Sequence, residues 1–515
     1  MGELEYLFVL LLAVAVLVRL ADLVAVPYPI VLVLAGLGLA LIPGLPEIEL
    51  EPEVIFLVFL PPLLHAAGWQ ASPRELYAER GPLLLLALGL VLITMCAVAV
   101  VGHELVGLAW APAFVLGAIV APTDPVSAAA TFSRLGVPAR IGLIVEGESM
   151  INDASALVAY RVAVAAAVSG AFSLTDAGLD FAVSVAGGVA VGAAVGWLGD
   201  QVHQRLSDVT VAIVLTLGFA YGAYIAAEEA GVSGVLATVV AGLWLGWKAP
   251  THFDADTRLS GAAFWNILVF LLNTLLFLLL GLQFPGVLDR AEAGTSRGDL
   301  VAYAAIVVAV VVLVRLAVVF VPALLRPLSG ADVGENWRER LVVGWSGMRG
   351  AISLAAVLSL PESLDERGLL IFLTVAVIVA TLVGQGLTLP LLMRALGVTG
   401  DREWSPDEAI ARLEAAQAAL DRLDELEGDG VDEDKLRRLR EVYRARFRRC
   451  MAVVGGGADP GGRGEDSVSY GALRRELIGV ERGSLLGLRG EGRVNQEVMR
   501  AIVRDLDLEE ARLTP

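Results

Sequence analysis

The chain has 515 residues, 57% of them hydrophobic and 18% charged, with a mean hydropathy of +0.72. That is too apolar for a domain whose whole surface meets water. The net charge of -18, with no massed basic patch, excludes a nucleic-acid binder, and the two cysteines, Cys96 and Cys450, imply no disulfide framework.

Charge divides the chain near Gly400. Residues 1–400 hold 18 of the 38 Lys and Arg and 31 of the 56 Asp and Glu, so most of the charge density falls in the last 115 residues. The reading is a membrane domain over residues 1–399 and a soluble tail over 400–515.

Turn and charge punctuation separates about thirteen apolar segments, at 5–24, 28–46, 52–70, 81–102, 112–133, 140–168, 180–200, 208–228, 232–247, 260–284, 300–326, 339–360 and 368–394. A helix of about 20 apolar residues crosses roughly 30 Å of hydrocarbon. The first run follows Glu3 and Glu5 instead of a basic stretch and lacks a small-x-small cleavage site, so it reads as a retained helix.

Arg74, Arg80, Arg134, Arg140, Arg205, Lys248, Arg258, Arg326, Arg338 and Arg340 fall in loops on one side, against Arg290, Arg297 and Arg367 on the other. The basic side is expected to be cytoplasmic, which places the N-terminus outside and the tail inside.

Six spans, a linker span and six more are the arithmetic of two inverted repeats. Span five is interrupted by Ala121-Pro122-Thr123-Asp124-Pro125, and its counterpart, span twelve, by Gly344-Trp345-Ser346-Gly347-Met348-Arg349-Gly350. Proline removes an amide donor and glycine weakens a helix, so both are expected to be broken helices that free carbonyls near the bilayer centre. The fold class is therefore an all-α polytopic membrane protein with broken crossing helices and a helical cytoplasmic tail.

A charge in mid-span costs about 2.5–3.5 kcal/mol even on the lenient insertion scale. Span six carries Glu146, Glu148 and Asp153, with Ser149 one turn before Asp153 and Glu148 one turn before Asn152. Asp153, Ser149 and the break at Thr123-Asp124 supply a carboxylate, a hydroxyl and freed carbonyls, the oxygen set that suits a hard monovalent cation. A proton competing for the same carboxylate makes the simplest exchanger.

Asp124 has two readings of equal weight, ion ligand and cap of the half-helix after Pro125, and one residue can serve both. Asn152 cannot titrate, which predicts one cation against one proton without net charge movement, and it is also expected to brace the break in span five. Glu148 is expected to pair with Arg349 of span twelve, with Glu146 as the competing partner. Arg315 and Arg161 read as structural rather than functional, and Arg161 can snorkel outward.

At these residues the sequence resembles the monovalent cation:proton antiporters of the Na+/H+ exchanger family, its bacterial electroneutral branch in particular. The match is carried by Leu60-Pro-Pro-Leu-Leu-His-Ala-Ala-Gly68, Thr123-Asp124-Pro125, Gly147-Glu148-Ser149-Met150-Ile151-Asn152-Asp153-Ala154 and Gly347-Met348-Arg349-Gly350-Ala351. The resemblance implies a thirteen-helix inverted-repeat fold, a homodimer in a bacterial inner membrane, and elevator-like movement of a core holding spans five, six and twelve. It also implies Asp153 as the exchange carboxylate, with Asp124, Ser149 and the Thr123 carbonyl as Na+ ligands, Asn152 as the non-titrating neighbour, Glu148 to Arg349 as the core pair, and no cofactor.

The preference for Na+ over Li+ or K+ comes from the resemblance alone, since these ions accept the same oxygens. A K+/H+ antiporter and a cation channel stay open as alternatives. An intramembrane aspartyl protease using Asp124 and Asp153 is disfavoured because its Gly-x-Gly-Asp context is missing.

One departure concerns span three. Many relatives carry an acid shortly after the Pro-Pro, where this chain has Ala66. Water can fill the gap, or His65 can act as a pH-responsive neighbour; the blander reading of His65 is a histidine hydrogen-bonded near the helix end.

The tail opens with a cap-like Ser405-Pro-Asp-Glu, a helix to about Glu427 and a basic helix from Asp432 to about Val454. A Gly-rich linker, 455–464, and a further helical stretch follow. The tail reads as a regulatory or dimer-contacting module, or as one whose Arg437–Arg449 cluster lies against anionic lipid.

Overall fold

The computed structural model describes residues 3–24, 26–40, 42, 55–170, 173–206, 208–292, 295–324, 333–334, 336–362, 364, 366–398, 406–427 and 433–454. The expected Ser405 cap, the Gly-rich linker and the last helical stretch of the tail lie outside the described residues, as does the end of the second apolar segment. Two compact units result, Met1–Asp401 and Arg402–Pro515.

Every regular element among the described residues is helical. The first unit contains α1 (Glu3–Leu23), α2 (Tyr28–Ala40), α3 (Leu60–Gln70), α4 (Arg80–Val106), α5 (Trp110–Val120), α6 (Val126–Leu135) and α7 (Ala139–Ser169). It continues with α8 (Leu174–His203), α9 (Val209–Glu229), α10 (Gly234–His252), α11 (Ala255–Glu292) and α12 (Arg297–Leu324). Two half-helices, α13 (Trp337–Trp345) and α14 (Ala351–Leu358), precede α15 (Arg367–Leu396).

Seven helices among the described residues are long and apolar enough to cross a membrane, in α4, α7, α8, α9, α11, α12 and α15; α2 and α5 are shorter apolar helices. Their outward faces are greasy: Leu179, Ile267, Val301, Leu313 and Leu391 are each more than half exposed. Such a surface suits lipid, where a helix satisfies all its own backbone polar groups. This is a multi-pass membrane protein.

Small residues let the helices approach closely, since lipid supplies no hydrophobic drive between them. Where α2 meets α11, a Cβ on Gly36 would strike the Leu278 carbonyl, and one on Gly281 the Val33 carbonyl. Polar links add to this. Ser155 of α7 donates to the Ala87 carbonyl at 2.7 Å, inside a π-helical turn of α4 at Leu85–Gly89 whose wider winding leaves that carbonyl available. Arg161 of α7 pairs with Glu228 of α9, its Nη2 donating to both carboxylate oxygens at 2.8 Å.

The expected breaks are present. Span five is divided into α5 and α6 around Pro122–Pro125, and span twelve into α13 and α14 around Ser346–Gly350. The two breaks meet, and the Asp124 backbone N–H donates to the Met348 carbonyl at 2.8 Å.

The second unit shows α16 (Pro406–Glu425) and α17 (Glu433–Val454) packed as a hairpin. Leu423, Leu436 and Cys450 are buried in it, and Arg440 reaches Asp424 at 2.8 Å and Glu427 at 2.5 Å.

Candidate cation site

The site is built where the two breaks meet the middle of α7. Pro122 and Pro125 prevent α5 from continuing, because each lacks an N–H and its ring crowds the carbonyl one turn back. Asp124 then restarts the chain. Its Oδ1 accepts the Val126 N–H at 2.9 Å, an Asx-type turn that satisfies the first N–H of α6, while Pro125 occupies the cap position itself. Gly350 makes room for that carboxylate, because a Cβ there would overlap it.

From α7, three residues face the break. Ser149 Oγ donates to the Thr123 carbonyl. Asn152 Nδ2 donates to Thr123 Oγ1 at 2.8 Å, and the Thr123 hydroxyl donates to Glu148 Oε1 at 3.2 Å. Thr123 is thus fastened through both its carbonyl and its hydroxyl. Asp153, 8% exposed, is the exception: its carboxylate has no hydrogen-bond partner among the described residues and borders a cavity of about 630 Å³.

Asp153, Asp124, Ser149 and Thr123 all line this cavity, which brings a carboxylate pair, a hydroxyl and a break residue to one space. Asn152 does not border it and acts through Thr123. Glu146 is exposed and lines the same cavity, so it is no partner for a buried arginine. α3 contributes Leu63, Ala66 and Ala67 together with the neutral Gln70, and no acid.

The pairing expected of Glu148 is corrected. Its partner is Arg315 of α12, with Nη1 to Oε1 at 2.5 Å and Nη2 to Oε2 at 2.9 Å, and both residues are at most 1% exposed. Arg315 also donates from Nη2 to the Val343 carbonyl at 3.0 Å, a carbonyl left open because α13 stops at Trp345. One guanidinium therefore satisfies a buried carboxylate and a broken helix end together. Arg349 instead has a fully buried side chain whose three nitrogens have no hydrogen-bond partner among the described residues, while its backbone N–H donates to Thr381 Oγ1 at 3.1 Å.

Arg315 stood out in the sequence as a mid-span charge without a partner, because the charge balance of span six does not say which arginine the fold delivers. His65 is a second correction. It is fully buried between Trp69 and Trp265, neither ring nitrogen has a hydrogen-bond partner among the described residues, and it does not border the cavity.

Comparison with known proteins agrees with this architecture. Residues 7–395 match the family described as sodium/hydrogen exchanger, transmembrane. An uncharacterized Na(+)/H(+) exchanger of Mycobacterium tuberculosis is 33% identical over 94% of this chain and 91% of its own length. The Na(+)/H(+) antiporter ApNhaP of Aphanothece halophytica is 34% identical over 77% of this chain and 74% of its own. A sodium, potassium, lithium and rubidium/H(+) antiporter of Bacillus subtilis is 34% identical over 71% of this chain and 58% of its own. Among solved structures, the sodium proton antiporter MjNhaP1 of Methanocaldococcus jannaschii shares the fold, with a TM-score of 0.58 and 21% identity over 76% of this chain and 98% of that one. With its membrane unit matched almost end to end, the chain belongs to the sodium/hydrogen exchanger family and is a cation/proton antiporter rather than an enzyme.

Proposed function

We propose that this protein exchanges Na+ for H+ across a bacterial inner membrane, one for one, by letting the two ions compete for Asp153. The observation that carries the reading is the cavity at which Asp153, Asp124, Ser149 and Thr123 converge beside a pair of bonded helix breaks. The cation takes oxygens from these four residues. The proton takes the Asp153 carboxylate when the cation leaves. Asn152 braces Thr123 and adds no charge, so the occupied states differ only in which monovalent ion they hold.

The core moves as an elevator carrying α5, α6, α7, α13 and α14, within thirteen spans arranged as two inverted repeats. The backbone bond from Asp124 to Met348, which ties the two breaks, and Arg315 of α12, which holds both Glu148 of α7 and the Val343 carbonyl of α13, support this. A homodimer with the N-terminus outside and the tail cytoplasmic completes the reading.

The test is reconstitution in liposomes with an internal pH dye, adding Na+, Li+ or K+. Addition of Na+ should move protons in the wild type, and Asp153→Asn should abolish the signal; a variant that still exchanges rejects the assignment. A second reading, broader exchange including K+, is favoured by the Bacillus subtilis relative, whose name spans four alkali cations. K+ driving proton movement as well as Na+ would select it.

A further inference from the structure

We propose that Ser353 of α14 is a further ligand of the transported cation, supplying a neutral oxygen to a site that lacks an acid on α3. The proposal rests on the exchange reading above and deepens it, by drawing the second broken helix into the coordination sphere.

A serine or threonine within a helix ordinarily turns its hydroxyl back onto the carbonyl three or four residues earlier. This protein does so repeatedly: Thr131 donates to Ser127 at 3.2 Å, Thr238 to Gly234 at 2.8 Å, and Ser169 to Ala165 at 2.7 Å. Ser353 does not. Its residue is 1% exposed, and its Oγ has no hydrogen-bond partner among the described residues. A buried hydroxyl left this way costs stability unless something else meets it.

Its position says what that is. Ser353 lines the cavity shared by Asp124, Ser149 and Asp153. It also stands three residues after Gly350, the residue that precedes α14 and is pressed against the Asp124 carboxylate. Across the cavity, Ala66 is packed with Trp265 and Val269. No carboxylate comes from that wall, and a hard cation there must collect neutral oxygens from the other elements. A hydroxyl has lone pairs for a cation and needs no change of protonation to use them.

The experiment measures initial rates of full-length protein in liposomes against Na+, Li+ and K+ concentration, for wild type, Ser353→Ala, Ser353→Thr and Asp153→Asn in parallel. Losing one neutral ligand should raise the cation KM of Ser353→Ala between about twofold and tenfold, with a smaller change in kcat. Ser353→Thr, which keeps the hydroxyl, should hold a KM near that of the wild type. An unchanged KM in Ser353→Ala, a loss confined to kcat, or a Thr variant as impaired as the Ala variant overturns the proposal. Exchange that survives in Asp153→Asn would instead reject the underlying reading, whichever way Ser353 behaves.

Discussion

Arg315 and Glu148 form the most enclosed ion pair among the described residues, 1% and 0% exposed. Removing one partner of such a pair leaves a bare charge in the interior, which costs about 3–5 kcal/mol, so Arg315→Ala and Glu148→Ala should each lower the melting temperature sharply. A fluorescence melt of detergent-purified protein checks this, and a wild-type melting point in either variant contradicts the pairing. Asn152→Ala should be milder, about 0.5–1.5 kcal/mol, since one neutral hydrogen bond to Thr123 is lost and no charge is stranded. At this scale the sequence was readable where chemistry is local. Asp153, Ser149 and Asn152 share a helix and their spacing alone orders them by face. The partner of Glu148 was not readable, because Arg315 and Arg349 both sit in apolar runs, and only the packing of α12 beside α13 decides between them.

The helix breaks were legible for a physical reason: Pro122, Pro125, Gly347 and Gly350 forbid or weaken a continuous helix wherever they are placed. What each glycine admits was not legible. Gly347 lies against the Arg315 side chain, so a Cβ there would overlap the arginine, and Gly347→Ala should act through the same pair. In a double-mutant cycle of Gly347→Ala with Arg315→Ala, the combined loss should fall short of the sum of the single losses, because both remove one interaction. Melting temperatures of the three variants give the answer, and full additivity separates Gly347 from the pair. The π-helical turn of α4 also escaped sequence reading. Nothing in Leu85–Gly89 signals the extra residue, and its use becomes visible only when Ser155 arrives from α7.

For the molecule as a whole, a titrating carboxylate beside a non-titrating amide predicts silent exchange. Rates of Na+-driven proton movement should be the same in liposomes held at zero potential and at a large negative one, and a clear voltage dependence would contradict the one-for-one stoichiometry. That the chain is a multi-pass membrane protein was legible, since successive apolar runs of about 20 residues are too long and too many for a water-facing fold to bury. The two described helices of the tail were legible as well, but its role was not. Its two described helices form a hairpin stitched by Arg440 to Asp424 and Glu427, yet those charges alternate without a motif that names a ligand.

The meeting of the two breaks is fastened by main chain, from the Asp124 amide to the Met348 carbonyl. A bond of that kind is invisible to ordinary mutation: of the twenty residues, only proline at position 124 would delete the donor. The architecture and the chemistry at Asp124 can therefore be separated by exchanging one oxygen for an NH2 group. Asp124→Asn keeps the main-chain bond, keeps an oxygen to receive the Val126 N–H, and discards the negative charge. Unchanged melting with weakened cation dependence would assign that charge to the transported ion.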